Sequence, residues 1–214
     1  MKFIKDLLFC PFLLFAQTEF VTNSNLAVEA DFNYSISTDY SSKGPGFGLS
    51  FYDKVDLGFE YNKLTDINHD DISISETVIY LAYNFKEANN CLKVLGGYSS
   101  YSFENNLLSG LDIDGPFFGV IISPKIINNE SFCLMPSFGF SMTFLSDAKT
   151  TTGDLIYSTD QTNVNVKLEL NLISHINDKF YLFIAPSVSK DLSNSKIPFA
   201  FGFNFGALLN FPKN

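Results

Sequence analysis

The sequence predicts an all-β protein, a transmembrane antiparallel up-and-down β-barrel of ten strands with short turns at one end and longer loops at the other. Three observations lead to this fold class. Apolar and polar residues alternate along most of the chain, one face of each strand carries the bulky side chains, and the connections alternate between short and long. No run of about 18 or more apolar residues occurs among the 214, although 46% are hydrophobic, so the hydrophobicity is not gathered into a spanning helix.

The composition excludes a nucleic-acid partner. All 14 basic residues are lysines, and 23 acidic residues leave a net charge of −9. Binding to nucleic acid needs a basic surface that neutralises phosphates, usually with arginine. Charged residues make up 17% of the chain, against about 25% in an ordinary soluble domain, so the chain is also short of charge.

Residues 1–16 have the pattern of a secretory signal peptide. Lys2 and Lys5 give a basic start, residues 7–15 are apolar, and Ala16 is a small residue at the end of that run. We predict cleavage after Ala16, followed by a periplasmic lead over residues 17–25. The alternative for the start of the chain is a buried N-terminal strand.

Alternation with a period of two begins at Leu26. Near the C-terminus, every odd position from Phe199 to Phe211 is apolar, and the even positions between them are small or polar apart from Leu208. Successive side chains of a strand point to opposite faces, so this pattern predicts strands with one apolar face and one polar or small face.

The predicted barrel covers residues 26–211 and is followed by a short tail over 212–214. Its ten strands run approximately over residues 26–36, 46–52, 55–63, 73–85, 91–103, 115–124, 131–144, 162–174, 180–190 and 197–211. Eight strands are the alternative, if the short segment 46–52 and a neighbour are loop.

The predicted connections alternate in length, as they do in outer-membrane barrels. Short turns lie at 53–54, 86–90, 125–130 and 175–179, and mostly longer loops lie at 37–45, 64–72, 104–114, 145–161 and 191–196. A three-residue turn that includes Tyr52 pairs Phe51 with Val55 and keeps the apolar faces together, so we prefer it to a two-residue turn. An even number of strands places both termini, and the short turns, in the periplasm.

The strand at 131–144 indicates which face meets lipid. The even positions from Phe132 to Phe144 are apolar and mostly bulky, whereas the odd positions include Ser137, Gly139 and Ser141. A soluble lipocalin-like barrel or a β-sandwich would need Lys, Glu and Asp on that second face. Small residues suit a narrow interior instead, so the bulky face is predicted to meet lipid.

Aromatic residues near the strand ends fit the two girdles that membrane barrels carry at the bilayer interfaces. They are Tyr34 and Tyr61 near the long-loop ends, and Tyr83, Phe85, Phe132, Phe180 and Phe211 near the short-turn ends. The alternative is that aromatic residues are simply common in strands.

Two stretches, VIYLAYNFKEANNCLKVLGGYSSYSF and FAFGFNFGALLNF, resemble the outer-membrane β-barrel domain (porin-like) family, in the group of small OmpX/OmpA-type barrels. Residues 83–85 (YNF), a polar turn and residues 96–98 (GGY) resemble the central hairpin of that family. The last strand resembles an assembly signal ending in an aromatic residue, although residues 212–214 follow Phe211 here. The resemblance implies a barrel in the outer membrane of a Gram-negative bacterium.

Eight charged residues are assigned to the barrel interior as a lumen charge network, namely Glu29, Asp31, Asp56, Glu60, Glu76, Lys93, Lys167 and Glu169. A carboxylate in a narrow interior needs water or an ionic partner. The network is either a plug of salt bridges or an aqueous path that prefers cations, since six acids outnumber two lysines. Ten strands enclose less space than the 16–18 strands of open porins, which favours the plug.

His69, Asp70 and Asp71 in the second long loop are the enzymatic candidate, because a histidine can act as a general base. No motif adds a nucleophile or a second acid pair at a defined distance. The other histidine, His175, falls at a short turn on the opposite side of the membrane. We therefore predict no catalytic site, no metal and no cofactor.

The predicted function is an outer-membrane barrel with a structural or surface-interaction role and slight passive permeability. The alternatives are a narrow cation-preferring channel, a rim enzyme using His69, and a soluble secreted lipocalin-like carrier. The expected partners are outer-membrane lipids and lipopolysaccharide, and the outer-membrane assembly machinery.

Overall fold

The regular structure of this chain is β-strand. A computed structural model describes residues 24–67, 73–87, 90–104, 111–146, 148–150, 155–157, 162–193 and 198–212. Within those residues, no helix is long and apolar enough to cross a membrane. The predicted signal peptide, residues 1–16, lies outside the described part of the chain.

Ten long strands and three short ones occur in the described residues. The long strands are β1 (Ser24–Ile36), β2 (Tyr40–Phe51), β3 (Val55–Asp66), β4 (Ser73–Glu87), β5 (Asn90–Glu104), β6 (Leu111–Pro124), β8 (Phe132–Phe144), β11 (Thr162–His175), β12 (Phe180–Asp191) and β13 (Ala200–Pro212). The short strands are β7 (Ile127–Asn128), β9 (Ala148–Thr150) and β10 (Leu155–Tyr157). Each predicted strand corresponds to one long strand, so the ten-strand prediction is confirmed and the eight-strand alternative is wrong.

The ten long strands form a closed barrel. Each pairs antiparallel with the next long strand, and β13 returns to pair with β1. Passing from partner to partner around the barrel from Phe85 of β4 leads back to Ser73 of the same strand, twelve residues away. This offset corresponds to a strand tilt of about 40° and a backbone radius of about 10 Å. At that radius, inward side chains from opposite walls approach each other.

The barrel has two distinct ends. At the short-turn end β1 begins, β13 ends and a tight turn joins β2 to β3; the opposite end is called the loop end. In that turn Phe51 pairs with Val55, which confirms the predicted register. Tyr52 and Asp53 have positive φ angles of 54° and 60°, and the Ser24 backbone N–H donates a 2.7 Å hydrogen bond to the Asp53 carboxylate. The turn is thereby tied to the start of β1.

Strand β2 is longer than the sequence predicts and begins at Tyr40. Residues 44–46, Gly-Pro-Gly, have the composition of a turn, which is why the sequence predicts a loop over 37–45. They instead continue the ladder with β1. Pro45 lies where the ladder with β3 is interrupted, so its missing N–H removes no bond there. The first connection at the loop end is therefore only residues 37–39.

The distribution of side chains is inverted relative to a soluble protein. Every long strand exposes large apolar side chains on the outer wall, such as Leu81 at 58% and Phe201 at 64% exposure. The interior holds charged and polar side chains such as Glu29 and Asp56, both fully buried. This is the arrangement expected when the outer wall meets hydrocarbon and not water.

Candidate functional site: the barrel interior

The eight predicted lumen charges lie at inward-facing positions of β1, β3, β4, β5 and β11. Seven of them are buried and Asp31 is half-buried. They face inward because strand alternation gives them the same parity as the buried residues around them. The structure divides them into one ion pair and one acid-rich cluster.

The ion pair joins Asp56 of β3 to Lys93 of β5 across the intervening strand β4. Lys93 Nζ lies 2.9 Å from Asp56 Oδ2, and both side chains are at most 1% exposed. Asn84 of β4 is the ladder partner of Lys93, and its Nδ2 donates a 2.8 Å hydrogen bond to the same carboxylate oxygen. The charge of Asp56 is therefore compensated locally, close to the short-turn end.

The remaining six charges form the acid-rich cluster, in which five carboxylates accompany one lysine. Lys167 forms an ion pair with Glu169, two residues away on the same face of β11. Glu60 of β3 lies within electrostatic range of Asp31, Glu76, Lys167 and Glu169. Glu29 lies two residues before Asp31 on the same face of β1. The cluster thus contains more acids than a single ammonium group can neutralise.

Asparagine side chains donate hydrogen bonds to the carboxylates of the acid-rich cluster. Asn33 Nδ2 donates to Asp31 Oδ1 at 3.0 Å, and Asn62 Nδ2 donates to Glu76 Oε2 at 3.2 Å. These asparagines are absent from the predicted network because only charged residues were assigned to it. The signal was present, since Asn33 follows Asp31 by two positions and so shares its face of the strand.

A small cavity lined mostly by polar residues lies in the loop half of the interior. Its lining includes Asn33, Ser35, Ser42, Asn62, Lys167 and Asn204. The Oδ1 atoms of Asn33, Asn62 and Asn204 are buried and make no hydrogen bond within the protein. Buried polar groups of this kind are commonly satisfied by water.

Apolar side chains bound this polar interior. Near the short-turn end, a cluster contains Ala27, Cys133, Met135, Ile173, Phe183 and Leu208. Along the wall formed by β4, β5 and β6, a second cluster contains Val78, Tyr80, Ala82, Leu95, Phe117 and Ile121. Toward the loop end, buried Leu64 pairs with Ile74, which pairs with Phe103. Within the described residues, apolar side chains therefore lie toward both ends of the charged interior.

The predicted girdle residues lie toward the two rims of the outer wall. Tyr34 and Tyr61 are exposed toward the loop end; Tyr83, Phe85 and Phe211 are exposed, and Phe132 and Phe180 half-buried, toward the short-turn end. Tyr83 and Phe85 pack edge to face with ring centroids 4.7 Å apart. Sequence analysis missed Tyr98, which is exposed near the loop end and donates a 2.5 Å hydrogen bond to Asp114 Oδ2.

The enzymatic candidates are not brought together in the described residues. His69, Asp70 and Asp71 lie outside that part of the chain. His175 lies at the short-turn end, where its Nδ1 is 3.2 Å from the Glu130 carbonyl oxygen and its ring packs on Tyr181. No group of three or more His, Cys, Asp or Glu side chains in the described ranges could hold a metal ion.

Solved structures with the same architecture are outer-membrane proteins. The β domain of the Bordetella autotransporter Brka superposes with a TM-score of 0.55 at 11% identity, over 88% of this chain and 100% of that one. The translocator domain of the autotransporter NalP from Neisseria meningitidis gives 0.52 at 12% identity, over 90% of both chains. This chain has the fold of an outer-membrane β-barrel. An outer membrane channel from Pseudomonas putida F1 gives 0.51 at 10% identity, over 94% of this chain and 100% of that one.

These similarities concern the fold of the barrel alone. The predicted resemblance to outer-membrane β-barrels is confirmed at the level of the fold. The narrower OmpX/OmpA type receives no support. No protein-family model and no curated protein matches the sequence.

Proposed function

We propose that the protein is an outer-membrane β-barrel with a closed interior, which holds its loops at the surface of a Gram-negative cell in a structural or surface-interaction role. The observation that carries this proposal is the inverted distribution of side chains, with bulky apolar residues outside and the charges buried within. Such a wall is stable in hydrocarbon and costly in water. The proposal includes export by a signal peptide at 1–16, insertion by the outer-membrane assembly machinery, and contact with lipopolysaccharide.

Two features support a closed interior. The apolar cluster around Met135, Ile173 and Phe183 fills part of the interior near the short-turn end. Ion pairs at Asp56 and at Lys167 fill further parts of the interior beside β4 and β11. A barrel of ten strands is narrow enough for inward side chains from opposite walls to meet. It is too narrow for the aqueous channel of a 16–18-stranded porin. We therefore expect the barrel to form no open channel and to pass small solutes only slowly.

The first experiment tests the fold and its location. The protein is fractionated from cells and run on gels with and without boiling. Membrane-fraction protein that migrates differently after boiling supports a barrel folded in the membrane. Protein in the soluble fraction with unchanged migration would support the lipocalin-like carrier instead.

The second experiment tests the closed interior. The purified protein is added to planar phosphatidylcholine bilayers, with an open porin as positive control. We expect no conductance steps from this protein. Cation-selective conductance steps, with a lower selectivity in the Glu60→Gln variant, would contradict the closed interior. They would support the narrow cation-preferring channel, whose selectivity the acid-rich cluster would then explain.

A further inference from the structure

Asn204 of β13 lines the small cavity in the loop half of the barrel interior. Its side chain is 3% exposed, and neither its Nδ2 nor its Oδ1 has a hydrogen-bond partner in the described part of the chain. Asn33 of β1, which also lines the cavity, is its direct partner in the ladder. A buried amide without partners is costly, so Asn204 indicates that the cavity holds a polar ligand.

Two further amides present their oxygens to this cavity. Asn33 Nδ2 donates a 3.0 Å hydrogen bond to Asp31. Asn62 Nδ2 donates a 3.2 Å hydrogen bond to Glu76. An ionised carboxylate only accepts hydrogen bonds, so these contacts fix which end of each amide is the oxygen. Both Oδ1 atoms, and Ser35 Oγ, belong to lining residues and have no hydrogen-bond partner among the described residues. The cavity therefore gathers oxygen atoms that can accept a hydrogen bond or bind a cation.

The charge around the cavity favours a cation. Asp31 and Glu76 lie behind the lining amides at hydrogen-bond distance, and both belong to the acid-rich cluster. A carboxylate that accepts from an amide N–H polarises the amide, which makes the amide oxygen a stronger cation ligand. Lys167 also lines the cavity, but its ammonium group forms an ion pair with Glu169.

The size of the cavity and its neutral oxygens indicate which cation fits. The cavity has room for a ligand about the size of a water molecule, which excludes organic cations. Neutral carbonyl oxygens coordinate alkali cations, whereas Ca²⁺ and Mg²⁺ sites usually include carboxylate ligands. We propose that Asn33, Ser35, Asn62 and Asn204 bind one Na⁺ or K⁺ ion, which serves as an internal counter-ion of the acid-rich cluster. The inference depends on the barrel interior and not on the role of the loops at the cell surface.

The experiment measures urea-induced unfolding of the purified protein in detergent, at constant ionic strength, in mixtures of choline chloride with NaCl or KCl. Choline is too large for the cavity, so it supplies ionic strength without filling the site. A ligand that binds only the folded state stabilises that state. Above saturation, each tenfold rise in Na⁺ or K⁺ concentration should raise the folding equilibrium constant roughly tenfold. Equal stability in NaCl, KCl and choline chloride would overturn the proposal, because water alone would then satisfy the amides.

Variants test whether the cation binds in this cavity. Asn204→Leu removes one ligand without breaking a hydrogen bond to the described residues, and should weaken cation binding about tenfold or more. Asn204→Asp keeps an oxygen, adds a negative charge and should bind the cation at least as tightly as the wild type. Ser35→Ala removes a lining hydroxyl with little change in volume, and gives the same test if Asn204→Leu does not fold.

The matched control is Asn210→Leu. Asn210 is a second buried asparagine on the inward face of β13, its Oδ1 also has no hydrogen-bond partner among the described residues, and it lies near the short-turn end, away from the cavity. This variant should respond to Na⁺ and K⁺ as the wild type does. Unchanged cation affinity in Asn204→Leu and Ser35→Ala, or an equal loss of affinity in Asn210→Leu, would overturn the assignment of the cation to this cavity.

Discussion

Replacing Lys93 with methionine removes the cation of the buried ion pair and keeps a side chain of similar length. Lys93 is 1% exposed, Asp56 is 0% exposed, and their charged atoms are 2.9 Å apart. In Lys93→Met the Asp56 carboxylate would keep its hydrogen bond from the Asn84 amide and lose the ammonium group 2.9 Å away. Removing one partner of such a pair costs about 3–5 kcal/mol of unfolding free energy.

The double variant Lys93→Met/Asp56→Leu separates this charge effect from a loss of packing. Replacing both members of a buried ion pair with apolar residues is often close to neutral, so we expect the double variant to regain more than half of the loss. Urea-induced unfolding in lipid vesicles, followed by tyrosine fluorescence, measures both values. Lys54→Met in the exposed turn is the control, with an expected change within about 0.5 kcal/mol. A Lys93→Met variant as stable as this control, or a double variant as unstable as Lys93→Met, would refute the reasoning.

Two further substitutions test how closely the interior is packed. A Cβ atom at Gly44 would overlap the backbone carbonyl group of Tyr61, whereas one at Gly96 would find its nearest atom at 3.6 Å. Gly44→Ala is therefore expected to destabilise the barrel by about 1–3 kcal/mol in the urea assay, and a similar loss in Gly96→Ala would contradict the steric explanation. Phe183→Ala removes a 2% exposed ring from the cluster at the short-turn end and should cost about 3–5 kcal/mol. The same change at exposed Phe205 leaves no internal cavity and should cost far less, so equal losses would argue against an internal seal.

Much of the fold is predictable from this sequence because a barrel encodes its geometry with a period of two. Alternation specifies which side chains face inward, and it specified the register at Phe51 and Val55 as well. Residue composition alone did not predict the first part of β2. Gly-Pro-Gly at 44–46 is typical of a loop, but Gly46 supplies the space that Asp31 occupies and Pro45 falls at a gap in one ladder.

The interior site was predictable as a set of residues and not as a set of partners. Parity placed Asp56 and Lys93 on the inward face, but their pairing depends on the offset between β3 and β5 across β4. That offset is the sum of two ladder registers, and the alternation pattern fixes each only to within an even number of residues. The contributions of Asn33 and Asn62 were missed for a different reason, because a neutral amide is not distinguished by charge.

The junction between β1 and β13 has a consequence for the order in which the barrel forms. These strands pair from Leu26 with Phe211 to Ile36 with Phe201, so their partners come from the two extremes of the described chain. Joining such distant segments has the largest loop-closure entropy of any ladder in the barrel, and we expect this seam to form last. Until then both strands present unsatisfied backbone groups, which hydrocarbon does not solvate, so we expect the half-made barrel to need the edge of another protein while it enters the bilayer.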